Sequence, residues 1–311
     1  FLGQGDTFRA IALTYRMGET TVRRIVYETC EVIWEVLSPI VMPPPTKEIW
    51  GHISSRIWDK WQYPNALGAM DGKHVVFEKP GGSGSTFFNY KKEFSVALLA
   101  LVDADYKFVV VDVGAHGRTS DGAVFFRSRL GKMLTEGTLD IPVPKSLPNE
   151  PEIVLPHVIV ADEAFPLQEN IMRPYPGPQV VNNERNKIYN YRHSRFRRES
   201  ENAFGVISKK FRIYRRKLQI SPDNLDKVIL ATTCLHNFLC GDDEYLWQPG
   251  KLEASVESLR LEDIPRIGGR PSDVAYAVRE QLKTYFVSRA GSVIWCTEEG
   301  DNYPVILKPS C

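Results

Sequence analysis

Apolar residues in the first forty positions recur at helical rather than strand spacing. Phe8, Ile11, Ala12 and Tyr15 share one face and predict a helix over residues 6–16, which Asp6 or Thr7 can cap. Val22, Ile25, Val26, Thr29, Ile33 and Val36 predict a second helix over 19–37, after a turn at Met17-Gly18-Glu19-Thr20. Two helices around a Gly-containing turn, with Arg23 and Arg24 near the start of the second, have the pattern of a helix-turn-helix module that touches DNA. Pro43-Pro44-Pro45 cannot continue a helix and marks a stiff linker. Ile49, Trp50, Ile53, Ile57, Trp58 and Trp61 then follow the helical period again, as core-packing residues do.

Beyond Ala66 the pattern turns to short apolar runs. Strands are predicted over 67–77, 95–102 and 108–113, with Asp103-Ala104-Asp105-Tyr106 as a turn whose aspartates are turn formers. A helix over 122–133 is capped by Ser120-Asp121, and a Pro-rich loop fills 140–156. The unbroken apolar run 157–161 predicts a buried central strand. A short helix at 168–172, a strand at Gln179-Val180-Val181, a basic helix over 194–212 and a buried helix over 225–239 complete the series. This order is that of an α/β, ribonuclease H-like mixed sheet with helices on both faces. The expected division is a helix-turn-helix-like module at 1–42, linker and helix at 43–62, the sheet domain at 63–240, and a helical or irregular extension at 241–311.

Composition adds exclusions. With 311 residues, 43% hydrophobic and 25% charged, the chain has the makeup of a soluble globular protein with an ample core. No apolar run reaches the ~18 residues of a membrane span. Five cysteines, odd in number and without a Cys-x-x-Cys pair, fit a reducing compartment, nucleus or cytosol. Cys234, His236 and Cys240 offer three groups without a second half-site and read as parts of a buried helix. The chain opens on Phe1 rather than Met, so upstream sequence is expected to be missing.

A net charge of +1 hides a strong asymmetry: residues 185–217 carry twelve Lys/Arg against Glu199 and Glu201. Residues 241–311 hold eight basic and twelve acidic side chains, and residues 1–60 are neutral. So dense a basic segment is an electrostatic footprint for nucleic acid. The expected contacts are Arg192, Arg195, Arg197, Arg198, Lys209 and Lys210, joined by Arg23 and Arg24.

The candidate chemistry lies in three carboxylates. Asp71 falls inside a predicted strand, Asp162 directly after the buried one, where open α/β sheets bind ligands, and a glutamate follows in the basic helix. An aspartate on an inner strand is costly to bury unpaired, which makes Asp71 informative. Phosphodiester cleavage needs an activated water and a stabilised leaving oxyanion. Two Mg²⁺ or Mn²⁺ ions about 4 Å apart supply both and require oxygen ligands from separate elements. Glu199 and Glu201 lie about 200° apart on the helix and border opposite sides of its apolar stripe, so only one can face the metal edge. Periodicity alone does not choose. Gly205, costly in a helix interior, suggests a close backbone approach on the Glu201 side, and Arg197 one turn earlier suits a phosphate. Glu201 is therefore the expected third ligand, and Glu199 a surface partner of the arginines.

Several blocks together resemble the PIF/Harbinger transposases and their domesticated, nuclease-like relatives. They are residues 63–74 around Ala69-Met70-Asp71-Gly72-Lys73-His74, residues 117–125, Val160-Ala161-Asp162-Glu163, Tyr191-Arg192-His193-Ser194-Arg195 running into Glu201-Asn202-Ala203-Phe204-Gly205, and Leu235-His236-Asn237-Phe238-Leu239. The resemblance covers nearly the whole chain and maps a DDE triad onto Asp71, Asp162 and Glu201. It implies a metal-dependent endonuclease that cleaves transposon terminal repeats in duplex DNA and joins the released 3′-hydroxyl to a target. It further implies Mg²⁺ or Mn²⁺, a Myb-like DNA-binding partner protein, a nuclear location, and synapsis by a homodimer or larger assembly. Only 38 residues separate Asp162 from Glu201, too few for a large helical insertion. The alternative is a domesticated DNA- or protein-binding factor that keeps the fold as scaffold.

Overall fold

A computed structural model describes residues 1–79, 87–89, 92–116, 121–241, 261–263, 271–293, 295–296 and 305–306. Its centre is a mixed sheet. Strands β1 (Ala66–Phe77), β2 (Phe94–Val102) and β3 (Phe108–His116) form an antiparallel meander. A small ribbon follows, β4 (Lys145–Leu147) against β5 (Glu150–Leu155), inside the stretch expected to be loop. Then β6 (Val158–Ala161) joins the free edge of β1 in parallel, and β7 (Ile171–Met172) joins β6. The order β3-β2-β1-β6-β7 is the mixed sheet expected from the sequence. A last strand, β8 (Leu261–Asp263), pairs with Lys73–Val75 of β1 beyond the end of β6. Gly68 lies at the register shift between β1 and β6 with φ +153°, and a Cβ there would meet Leu101 at 2.8 Å and the Val102 carbonyl at 2.9 Å.

Helices cover both faces. α1 (Phe8–Tyr15), α2 (Glu19–Val41) and α3 (Lys47–Trp61) precede the sheet. α4 (Asp121–Arg127) and α5 (Arg129–Thr135) replace the single helix expected at 122–133. The break is Ser128, whose hydroxyl accepts from Gly131 N at 2.9 Å and caps the second piece. Of the expected cap Ser120-Asp121, Ser120 lies outside the described residues, as do 117–119 of the resembling block. α6 (Gly177–Val180), α7 (Glu184–Lys210), α8 (Pro222–Leu239) and α9 (Asp273–Val287) follow.

One core, on the side of α3 and α9, contains Trp50, Tyr63, Phe125, Phe165, Tyr189, Phe196 and Phe286. The other, on the side of α2 and α8, contains Phe8, Val22, Cys30, Val75, Phe77, Phe108, Phe204 and Val228. α7 feeds both: Tyr189 and Phe196 join the first, Ala203, Phe204 and Ile207 the second. This helix ties the two layers together.

Three expectations are corrected. Of the segment expected as a short helix at 168–172, Ile171 and Met172 form the buried strand β7, because they gain partners on β6 that five residues of isolated helix would lack. Residues 179–181, expected as a strand, belong to α6 and its end, since Pro178 in the first turn suits a helix start. α2 runs through Pro39 to Val41 and does not stop at 37. The two N-terminal helices exist, but their apolar faces, Phe8, Ala12, Val22 and Cys30, join the second core. α2 is bound to α8 by Lys227–Glu31 (3.2 Å) and by Asn237 Nδ2 donating to the Val41 carbonyl (3.0 Å). The packing shows two helices seated on the body of the fold.

Candidate active site

Asp71 and Asp162 are brought together by strand pairing. β1 and β6 are parallel neighbours with Met70 opposite Ala161, so the next residue on each strand stands at the same level of the sheet. Paired strands lie ~4.8 Å apart. The carboxyl of Asp71 is 3% exposed and stands beside the Asp162 charge. Burial pushes it up to about 6; Lys73 and Arg197 pull it down, while Asp162 pushes it further up. Asp71 Oδ1 accepts from Gly72 N at 2.8 Å, and Oδ2 lies 3.1 Å from the Lys73 ammonium. Asp162 Oδ1 accepts from Ala164 N at 2.8 Å, turning the chain out of the strand.

The third carboxylate comes from α7, whose placement depends on His193. This buried imidazole donates from Nε2 to the Ala161 carbonyl at 2.7 Å, pinning α7 to the last residue of β6. Burial holds its value down at about 4, so the ring is neutral and Nδ1 is left to face the Tyr63 hydroxyl at 3.4 Å. One turn on, Arg197 reaches Glu201 at 2.6 Å while its charge also acts on Asp71. Arg197 is thus the residue that links Glu201, by an ion pair, to Asp71, by charge. The supporting argument from Gly205 fails, because a Cβ there would meet nothing within 4 Å.

Glu199 is the reverse of what its sequence suggested. It is not a surface partner of arginines but is 1% exposed, on the flank facing the β2–β3 turn. Burial raises its carboxyl to about 9, with Asp103 and Asp105 adding to the rise and Lys60 and the Tyr106 phenol opposing it. Neither of its oxygens has a hydrogen-bond partner of normal geometry. His236 and Asn237 hold that same turn: His236 Nε2 donates to the Tyr106 carbonyl (2.8 Å), and Asn237 bonds Phe108 N (2.8 Å) and O (2.7 Å). The Leu235–Leu239 block thus acts as a clamp on the meander.

The basic residues separate into classes. Arg192, expected to contact nucleic acid, is buried: its guanidinium donates to the Gln62 and Gly291 carbonyls and lies 4.2 Å from the centre of the Phe286 ring. It is a packing residue, with burial lowering its value to about 10. Arg195 is half-buried over Trp61 and Tyr191, and Arg23 binds Glu19 (2.6 Å) and covers Phe8. Arg198, Lys209 and Lys210 are exposed on α7, and Arg24, also exposed, is 3.8 Å from Glu28.

Three carboxylates are the hard oxygen donors a divalent ion of the Mg²⁺ class prefers, and Asp71 is buried with the Lys73 ammonium at its Oδ2. The donor set fits such an ion. Among the described residues, however, no three His, Cys, Asp or Glu side chains stand close enough to share one. Two of the carboxylates carry a cation: Lys73 lies on Asp71, and Arg197 pairs with Glu201.

A mixed sheet that sets two aspartates at one level of neighbouring parallel strands, with α7 packed against it, is the frame of this site. The family model for DDE superfamily endonucleases matches residues 70–237, more than half of the chain, and the protein belongs to that family. Its lineage is Harbinger: it is a Harbinger-type DDE transposase or a domesticated derivative. Protein ALP1-like of Arabidopsis thaliana is 27% identical over 278 residues, covering 84% of this chain and 65% of its own. Antagonist of like heterochromatin protein 1, also from Arabidopsis thaliana, is 23% identical over 83% of this chain and 64% of its own. HARBI1 of Mus musculus, whose name proposes a nuclease, is 23% identical over 78% of this chain and 66% of its own. The chain thus spans slightly under two thirds of these relatives. No solved structure matches it. Among the described residues, no helix is long and apolar enough to cross a membrane.

Proposed function

We propose that the protein is a metal-dependent DNA endonuclease that cuts duplex DNA at transposon ends and transfers the freed strand, with Asp71, Asp162 and Glu201 as its ligands. The observation that supports this reading is the alignment of Asp71 with Asp162 across β1 and β6, with Arg197 pairing with Glu201 and acting by its charge on Asp71. DDE superfamily endonucleases generally use divalent metals, and Mg²⁺ or Mn²⁺, as two ions, suits these donors. Bound there, the ions would activate the attacking water and stabilise the leaving oxygen. The chain's own part is to hold the carboxylates at fixed depth. His193 sets the height of α7 on β6, Gly68 sets the register of β1, and Arg198, Lys209 and Lys210 offer cations to backbone phosphates. Recognition of ends by a Myb-like partner, action in the nucleus, and synapsis through a homodimer or larger assembly complete the reading.

The second reading is a domesticated binding factor. Its supporting observation is the Arg197–Glu201 pair, which leaves the third ligand committed to an arginine, together with a relative named as an antagonist of a heterochromatin protein. Cleavage of labelled duplex DNA with Mg²⁺ or Mn²⁺, with and without the partner, separates the two. Metal-dependent nicking that disappears in Asp162→Asn supports the nuclease; tight binding with no cleavage under any condition supports the scaffold.

A further inference from the structure

Lys73 is the one cation set beside a candidate ligand from the same strand. Residues two apart on a strand share a face, so Asp71 and Lys73 project together toward α7. The Lys73 side chain is 13% exposed, its ammonium stands 5.9 Å from the centre of the Phe204 ring, and it reaches Asp71 Oδ2 at 3.1 Å. A Mg²⁺ ion binds a carboxylate oxygen at ~2.1 Å, so on this carboxylate it would stand close enough to the ammonium for the two cations to repel strongly. Arg197 repeats the arrangement at Glu201, 2.6 Å away. Two of the three candidate ligands thus carry a protein cation.

We propose that Lys73 is a built-in competitor of the divalent metal: its ammonium holds Asp71 in the metal-free protein and is displaced when the ion binds. This rests on the nuclease reading and deepens it. The exchange needs no proton transfer. A divalent ion beside Asp71 repels the ammonium, and four methylenes give Lys73 the freedom to turn away. Lys73 thereby weakens metal binding by free protein, and its released charge becomes available to a phosphate in the same pocket. Loading of metal and gripping of DNA are coupled through one side chain.

The test is Mn²⁺ binding to the full chain without DNA, by titration calorimetry. Lys73→Met should bind Mn²⁺ at least about tenfold more tightly than the unsubstituted protein, because a unit charge next to the ion is gone. Lys73→Gln should do the same, and Lys73→Arg should stay near the unsubstituted value. Asp71→Asn should lose the site, and circular dichroism checks that each variant is folded. Equal or weaker Mn²⁺ affinity in folded Lys73→Met and Lys73→Gln overturns the proposal while leaving the nuclease reading intact. No Mn²⁺ uptake by the unsubstituted protein and by folded Lys73→Met alike overturns both.

Discussion

Glu199→Gln should stabilise this protein, and by an amount that grows with pH. The side chain is 1% exposed in α7, and its carboxyl is raised from an ordinary 4.5 to about 9. A folded-state value above the unfolded one gives stability that is complete below the unfolded value and is lost as pH climbs toward the folded one. In the unfolded chain Glu199 ionises near 4.5, whereas in the fold it stays protonated until about 9. At pH 7 the fold therefore gives up ~3 kcal/mol to keep this carboxyl neutral, at ~1.4 kcal/mol per pH unit. Gln has the same shape and no charge to suppress. Urea unfolding of both proteins at intervals across roughly pH 5 to 8 should show the variant's advantage rising by about 1 kcal/mol or more per pH unit. Near pH 4.5 the two should converge to within the cost of an unsatisfied amide, ~1–3 kcal/mol. A difference that stays constant with pH would refute a buried, neutral Glu199 and return it to the surface.

Arg192→Ala should lower stability by ~3 kcal/mol or more, since it strands the Gln62 and Gly291 carbonyls and strips the Phe286 ring; urea midpoints check this. The salt dependence of DNA binding, by contrast, should be the same in any folded Arg192 variant, and a reduced slope would restore it to the interface. Gly205→Ala should stabilise the protein by ~0.5–1 kcal/mol in chemical denaturation, as its Cβ meets open space in a helix interior. His193→Ala should cost ~2–3 kcal/mol and also weaken Mn²⁺ binding, because the Ala161 anchor of α7 is lost; unchanged Mn²⁺ affinity in the folded variant would remove His193 from any role in setting the site.

The three long strands and five of the helices were legible because their apolar residues keep one period over many positions. Val158–Ala161 could be read as central because nothing polar interrupts it, and Asp162 as its exit for the same reason. Short elements were not legible. Ile171–Met172 has too few residues to show any period, and only its partners on β6 make it a strand. The opposite flanks of Glu199 and Glu201 followed from helical geometry, but which flank is dry depends on the β2–β3 turn, over a hundred positions distant in places from its clamp on α8. Arg192 could have been found. Stepping back one turn from Phe196 along the buried stripe lands on Arg192 and then, with Tyr189, on the core face. Its charge drew it into the basic group, although its position on the helix assigned it to the interior. Lys73 had no signal of its own: a lysine two positions from an aspartate is commonplace until the aspartate is seen to be buried against it.

α7, α3 and α9 interlock in a way that bears on how such a gene can travel. The stretch matched to the endonuclease family ends at 237, yet Tyr285 donates to the Pro148 carbonyl at 3.0 Å and Tyr175 to Glu280 at 2.6 Å. Upstream of position 70, Trp50 donates to the Leu139 carbonyl at 3.2 Å, and Tyr63 is fully buried against Phe196 and Phe286. A recombination breakpoint at either border of the matched stretch would expose aromatic surface on both sides of the junction. The folded unit is therefore wider than the stretch by which the family is identified, and its flanks belong to the same cores.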